Sequence, residues 1–174
     1  QIDVLVNNAG LAAGRDTYDS ADIDDWDLMI DTNVKGLNYI SKAVIPFMIA
    51  RRQGNIINMG SVAGKEVYQY GNGYGASTFA VEAITQAMRI DLLPHNIKVT
   101  GIHPGAAETE FSLVRFKGDE EKAASMYKGF KPLQANDVAE VVYYVTTQPE
   151  HVCINDLVIM PTAQASAIYF HKES

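Results

Sequence analysis

The chain has 174 residues, which suits one compact domain over 1–174, and 47% of them are hydrophobic, enough to build a core. Its formal charge is −7 with the acids spread along the chain, which excludes the basic face that nucleic acid demands and argues against an anionic membrane surface. Cys153 stands alone, so no internal disulfide is possible and a reducing cytoplasm is expected; no apolar run approaches the roughly 20 residues of a membrane span, and no signal peptide is evident.

The predicted elements begin at once. The chain opens Gln1-Ile2-Asp3 without an initiator Met and enters a short apolar strand over 4–7. It is expected to start partway through a longer gene. Asn7-Asn8-Ala9-Gly10 ends that strand. Ser20 is the expected N-cap of a helix reaching about Asn33, with Asp22, Asp24 and Asp25 in its first turn, where the helix dipole favours acids. A second helix over 36–52 ends in Arg51-Arg52, with Gly54 as its stop. A second strand covers 55–59, followed by Ser61. Residues 76–93 form an amphipathic helix. Its expected apolar stripe is Phe79, Ala80, Ala83, Ile84, Ala87 and Met88, with Glu82, Thr85 and Arg89 on the polar side. A third strand over 97–102 is closed by Pro104-Gly105; a helix over 137–147 has Asn136 as its cap, and a fourth strand covers 157–160. Between 110 and 133 the periodicity is weak and the charge mixed, which suits a lid over a substrate.

Short apolar strands alternating with long helices predict an α/β fold, a parallel sheet covered by helices on both faces. The expected strands lie near 2–7, 54–59, 97–103 and 156–160. Gly71-Asn72-Gly73-Tyr74-Gly75-Ala76 matches the dinucleotide fingerprint in letters, with Asp91 downstream. No strand leads into it and Asp91 falls inside a helix, so the match is rejected.

One set of spaced residues carries chemistry. Asn7 to Gly10 follow the first strand, Asn33-Val34-Lys35-Gly36 the first helix, and Ser61 the second strand; Tyr74 lies 13 residues after Ser61, and Pro104, Gly105 and Thr109 follow the third strand. Ligands of open parallel sheets bind at these carboxyl ends. In this order the set resembles the short-chain dehydrogenases/reductases over nearly the whole chain. The stretch Thr109-Glu110-Phe111-Ser112-Leu113-Val114-Arg115-Phe116-Lys117-Gly118-Asp119, with Arg89-Ile90-Asp91-Leu92 upstream, is similar to the NADP-dependent 3-hydroxy acid and serine dehydrogenase subgroup.

The resemblance implies a partial Rossmann-like doubly wound sheet and hydride transfer between NADP (or NAD) and a small hydroxy acid or other alcohol. It implies Tyr74 as general acid/base, Ser61 as hydrogen-bond donor to the same substrate oxygen, and Asn33 as holder of a relay water. Asn7, Ala9 and Gly10 would line the adenosine side of the cofactor; Pro104, Gly105 and Thr109 would line the nicotinamide side. Arg115 and Lys117 suit a carboxylate substrate, set against the simpler reading that both are solvated lid charges. The helices over 36–52 and 76–93 would pair subunits into a dimer or tetramer.

Two departures from the family pattern stand out. The family places a lysine four residues after the tyrosine, and here that residue is Thr78. A phenol has a pKa of about 10, and each unit by which a nearby ammonium lowers it corresponds to about 1.4 kcal/mol. Threonine supplies no charge and is too short for the ribose. Lys65 is the nearby alternative, expected to be a solvated loop lysine. The strands and Gly-rich loop that open the family's domain are also not in this sequence. A chain of these residues alone is therefore expected to hold NADP poorly and to leave its first strand as an apolar edge. Activity is expected to be impaired. The competing reading is a non-catalytic family member or fragment that only binds or dimerises.

Overall fold

The computed structural model describes residues 1–173. Four strands, β1 (Val4–Asn7), β2 (Gly54–Met59), β3 (Ile97–Pro104) and β6 (Asp156–Ile159), form one sheet in the order β1-β2-β3-β6. All three pairings are parallel, with Val4 opposite Asn55, Gly54 opposite Ile97 and Gly101 opposite Asp156. The strands fall where the apolar runs predict them. β1 is an edge, with Val4 and Val6 each 40% exposed.

Helices cover the sheet. On one side Met48 and Leu92 pack with Ile56, Ile97 and Val99 of the strands; a second buried group joins Ile57 and Ile102 to Val145. The last of these lies on α6 (Ala135–Thr146). Burying such side chains contributes roughly 1.5–3 kcal/mol each before entropy is counted.

The helical segment after β1 corrects the sequence reading twice. Asp22, not Ser20, caps α1 (Ile23–Met29), its carboxylate accepting from the Asp24 N–H at 3.0 Å. There is also no break near Gly36. The backbone passes from α1 through a π-helical stretch, Ile30–Gly36, into α2 (Leu37–Arg51) with right-handed dihedrals at each junction. The stop comes at Arg52, in the left-handed region with φ 52°, while Gly54 begins β2.

The helix α3 (Asn72–Leu92) starts four residues ahead of the predicted position, so Tyr74 sits inside its first turn. Its orientation also differs from the expected stripe. Phe79, Ala83 and Ala87 are exposed, Ala80, Ile84 and Met88 are half-buried, and the buried face carries Gly73, Gly75, Ser77, Thr78, Val81 and Thr85. Close packing selects that face: a Cβ at Gly73 would lie 2.7 Å from Trp26 and Met29, and one at Gly64 would lie 2.7 Å from the Thr78 carbonyl oxygen. A further correction concerns α6, which begins at Ala135; its cap is Gln134 in a reciprocal box with Asp137, not Asn136.

Residues 105–134 hold two short helices, α4 (Phe111–Arg115) and α5 (Glu120–Ser125). Two-residue strands β4 (Ala107–Glu108) and β5 (Leu133–Gln134) pair in parallel and tie the ends of this lid segment together. Among the described residues no helix is long and apolar enough to cross a membrane.

Candidate active site

The ends of β1, β2 and β3 and the start of α3 meet at one edge of the sheet. Gly60 extends the β2 ladder by donating to the Ile102 carbonyl at 2.8 Å, so Ser61 emerges where β2 stops. The Ser61 hydroxyl accepts from the Ala63 N–H at 3.1 Å and caps the short 3₁₀ turn Val62–Gly64. That turn packs on the first two turns of α3, Ala63 near Gly75 and Gly64 against the Thr78 carbonyl. The contact brings the Ser61 side chain near enough to the Tyr74 phenol to lower its pKa.

The Tyr74 ring packs with Ala12, Ala13, Met29 and Phe111, the Phe111 ring meeting it edge-on at 5.3 Å between centroids. Burial pushes the phenol above its usual pKa; the Ser61 hydrogen bond and the Arg115 charge pull it down without overcoming that burial. A hydroxyl held neutral, with a serine hydroxyl beside it, can bind a substrate oxygen and exchange a proton with it.

Asn33 lies in the π-helical stretch, a backbone distortion common at functional sites. Its Oδ1 accepts from the Leu11 N–H at 2.9 Å, and its Nδ2 donates to the Leu11 carbonyl at 2.8 Å and to Ser77 Oγ at 3.0 Å. Ser77 in turn donates to the Tyr74 carbonyl at 2.8 Å. The Asn33 side chain is thus fully engaged in holding the 11–13 loop against α3, and a relay water would have to use its main-chain carbonyl. Asn33→Ala is expected to cost about 2 kcal/mol by stranding the Leu11 backbone groups; a chemical denaturation midpoint that does not move would contradict this.

Thr78 is 4% exposed. Its hydroxyl points back into its own helix, 3.0 Å from the carbonyls of both Tyr74 and Gly75. Nothing at this position reaches toward a ribose or places charge beside the phenol.

The remaining predicted positions divide. Ala9 and Gly10 are exposed beyond the end of β1, and a Cβ at Gly10 would press on Asn33 Oδ1 at 3.2 Å. Asn7 is buried, its amide donating to Ser41 Oγ at 2.9 Å and to Asn58 Oδ1 at 2.8 Å; its side chain ties β1 to α2 and β2, leaving only backbone to face a ligand. Pro104 and Gly105 lie half-buried at the end of β3, and Thr109 is exposed, its hydroxyl accepting from the Phe111 N–H at 3.2 Å.

Arg115 is no solvated lid charge. It is 7% exposed, with its guanidinium 5.4 Å from the Tyr74 ring centre and 5.6 Å from that of Tyr68. Lys117 does remain at the surface, paired with Asp25 at 2.9 Å. Arg15, which the sequence reading passed over, lies in the same region with its Nε buried and without a hydrogen-bond partner.

Lys65 is an exposed loop lysine, as expected, but it is held by two acids rather than directed at Tyr74. Its Nζ lies 2.9 Å from Glu82 Oε2 and 2.8 Å from Asp156 Oδ2. Fully buried His103 joins them, its Nε2 2.7 Å from Asp156 Oδ1 and 3.0 Å from Glu82 Oε2. Glu82, His103 and Asp156 each offer a metal-ligand atom within 4.8 Å of the others, but the Lys65 ammonium already supplies the cation. Burial, then the charge of Lys65, holds His103 below the usual histidine pKa despite both carboxylates. The folded state thus disfavours the imidazolium. This contribution to stability is complete above the unfolded histidine value of about 6.5 and is lost as pH falls below it. His103→Gln should flatten the decline of Tm between about pH 7 and 5, a range in which histidine rather than carboxylate side chains mainly titrate; melts with equal slopes for both proteins would contradict it.

Comparison with known proteins places the fold in a family. The family described as short chain dehydrogenase matches residues 1–119. The NADP-dependent 3-hydroxy acid dehydrogenase YdfG of Salmonella typhi is 48% identical over 167 residues, covering 95% of this chain and 67% of that protein. Sulfoacetaldehyde reductase 2 of Chromohalobacter salexigens is 46% identical over 166 residues, covering 95% and 66%. Among solved structures, the closed form of serine dehydrogenase complexed with NADP+ superposes with a TM-score of 0.94 at 47% identity, covering 99% of this chain and 70% of that one. Serine dehydrogenase from Escherichia coli gives 0.80 at 41%, covering 95% and 66%. The chain thus spans about two thirds of the length of these relatives. With two thirds of its own residues matched, the chain belongs to the short-chain dehydrogenase family.

Proposed function

We propose that the protein transfers hydride between NADP (or NAD) and a small hydroxy acid, with Tyr74 exchanging the proton and Ser61 holding the same oxygen. The observation that carries this reading is the half-buried Tyr74, its phenol held neutral by its surroundings, with Ser61 beside it where the strands end. The relatives' names support NADP as the cofactor and an acid as the substrate.

The described residues fit such a cofactor unevenly. They suit its reacting end, where Tyr74, Ser61 and the Pro104-Gly105 backbone converge at strand ends. They do not suit its ribose, because Thr78 turns its only hydroxyl into α3. None of them forms a strand, Gly-rich turn and helix start of the kind that holds a pyrophosphate. When bound, the cofactor supplies or accepts the hydride. The chain's own residues orient the substrate oxygen and move its proton. In oxidation Tyr74 must take the hydroxyl proton, and its raised pKa with Thr78 in the lysine's place makes the reaction slow at neutral pH.

A homo-oligomer fits the surface of the helices. Tyr39, Ile40 and Phe47 of α2 and Phe79 and Ile90 of α3 are exposed, which favours pairing between copies through these helices. The cytoplasm is the compartment we assign, on the single unpaired Cys153. Thr78 also favours the second reading, a member that has lost catalysis and only binds.

Stopped assays of the full-length protein with NADP and a panel of short hydroxy acids separate the two readings. NADPH formation that rises with pH supports the dehydrogenase. NADP binding without turnover at any pH supports the non-catalytic member.

A further inference from the structure

We propose that Arg15 and Arg115 together form the recognition site for a substrate head group carrying two negative charges on a tetrahedral centre, of the phosphonate or phosphate-monoester class. This deepens the dehydrogenase reading and rests on it for the position of the reacting carbon.

The argument starts from charge. A guanidinium stays protonated in proteins, and a buried charge without a counter-charge is costly. Among the described residues neither half-buried Arg15 nor buried Arg115 has a carboxylate within 4.0 Å. The two are also close enough that the charge of Arg115, after burial, helps to lower the pKa of Arg15. Two like charges brought together, one of them against the Tyr74 ring, with no acid paired to either, invite an anion from outside.

Counting donors selects its kind. Arg115 donates through Nε to the Gly14 carbonyl at 3.4 Å and through one terminal nitrogen to the Tyr68 hydroxyl. Arg15 reaches only the Met126 sulfur, at 3.1 Å, and its buried Nε has no acceptor. Each guanidinium carries five N–H groups, so most of the pair's donors are unanswered by the described residues. A carboxylate has two oxygens and one charge; it can occupy one guanidinium's fork and leaves the other cation unbalanced. A dianionic head with three oxygens can face both arginines and neutralise both.

Position agrees with this. Arg115 lies on α4 of the lid segment, against the Tyr74 ring, while Arg15 lies in the loop after β1, where Gly14 donates its N–H to the Arg115 carbonyl and accepts from Arg115 Nε. An anion held by both would bridge the lid and the sheet end with its chain directed at Tyr74.

The test uses the full-length protein and four alcohols of one shape, HO–CH2–CH2–X, with X a phosphonate, a sulfonate, a carboxylate or a methyl group. At about pH 9 the phosphonate is fully doubly charged. The expected order of kcat/KM is phosphonate first, then the two singly charged acids, with 1-propanol last. The phosphonate should exceed the carboxylate by about thirtyfold, since a well-paired buried charge is worth a few kcal/mol. Arg15→Met should bring that ratio close to one, and Arg115→Met should lower all three acids toward 1-propanol. Calorimetry with 2-hydroxyethylphosphonate is run beside the kinetics. A carboxylate turned over as well as the phosphonate, or an unchanged ratio in Arg15→Met, overturns the proposal while leaving the dehydrogenase reading intact. Phosphonate binding that Arg15→Met abolishes, with no turnover of any of the four alcohols, sustains the anion site and removes the dehydrogenase reading instead.

Discussion

Replacing Tyr74 by Phe is expected to lower turnover of the full-length protein by about a thousandfold, within the range that a positioned acid/base contributes. The change deletes one oxygen and leaves the ring, so the edge-on contact with Phe111 and the packing on Ala12, Ala13 and Met29 persist. Stability should therefore move by less than about 1 kcal/mol, the loss being one partly satisfied hydroxyl. Ser61→Ala should have a smaller effect, about thirtyfold, because it removes a hydrogen bond to the oxygen but leaves the proton route. The pair should be far from additive, since both act on a single oxygen. Residual activity of Tyr74→Phe above a tenth of the parent, at unchanged stability, would place the proton transfer on another group.

Much of the fold was legible because strand position depends on short apolar runs that survive any tertiary context. The four strands and their parallel pairing followed from runs such as Ile56-Ile57 and Val4-Leu5-Val6 alternating with helical stretches. Helix faces were less legible. A hydrophobic stripe marks what wants to leave water, and on α3 Phe79, Ala83 and Ala87 lie on the outside of the subunit. The inside face instead carries Ser77, Thr78 and Thr85, whose hydroxyls bond to carbonyls one turn back and so behave as small, self-satisfied residues. Gly71, Gly73 and Gly75 look like helix breakers in sequence. In space Gly73 is what lets Trp26 and Met29 approach, so the helix begins earlier than the breakers suggested.

The site divides along the same line. That Ser61 and Tyr74 share one edge of the sheet was legible from spacing, because residues that follow strand ends map onto that edge. The charges were not. Lys65, Glu82, His103 and Asp156 come from a loop, a helix and two strands, and no local pattern marks their convergence. Arg115 read as lid surface because mixed charge in a weakly periodic segment usually is. The short helix α4 turns it inward instead, against Tyr68 and Tyr74. Arg15 carries no signal in sequence beyond being an arginine in a loop; only its buried, unanswered Nε distinguishes it.

Thr78→Lys is expected to raise hydroxy-acid oxidation at neutral pH by about tenfold and to move the pH optimum down by one to two units. An ammonium one helical turn from Tyr74 would lie on the same face, and an opposite charge at close range stabilises a phenolate by roughly 1–3 pKa units. Tyr74 starts from a raised value, since burial dominates over Ser61 and Arg115. The direction is fixed by its task. As a base it must first lose its proton, so below its pKa the oxidation rate follows the phenolate fraction and climbs with pH. Lowering the pKa by about two units multiplies that fraction about a hundredfold at neutrality; a weaker base transfers the proton less readily and gives back part of the gain, which leaves about tenfold. The local fit constrains the variant, because Thr78 is buried where Gly64 closes on α3. The lysine stem must run along the helix toward Tyr74 rather than outward, and a modest drop in Tm is expected alongside the gain in rate. Calorimetry provides a second readout: tighter NADP binding by Thr78→Lys would show the ammonium reaching the ribose hydroxyls. Turnover is measured against pH for both proteins, with Tyr74→Phe as the control. Superimposable profiles, in a variant that melts as a folded protein, would mean that the charge at position 78 does not govern Tyr74.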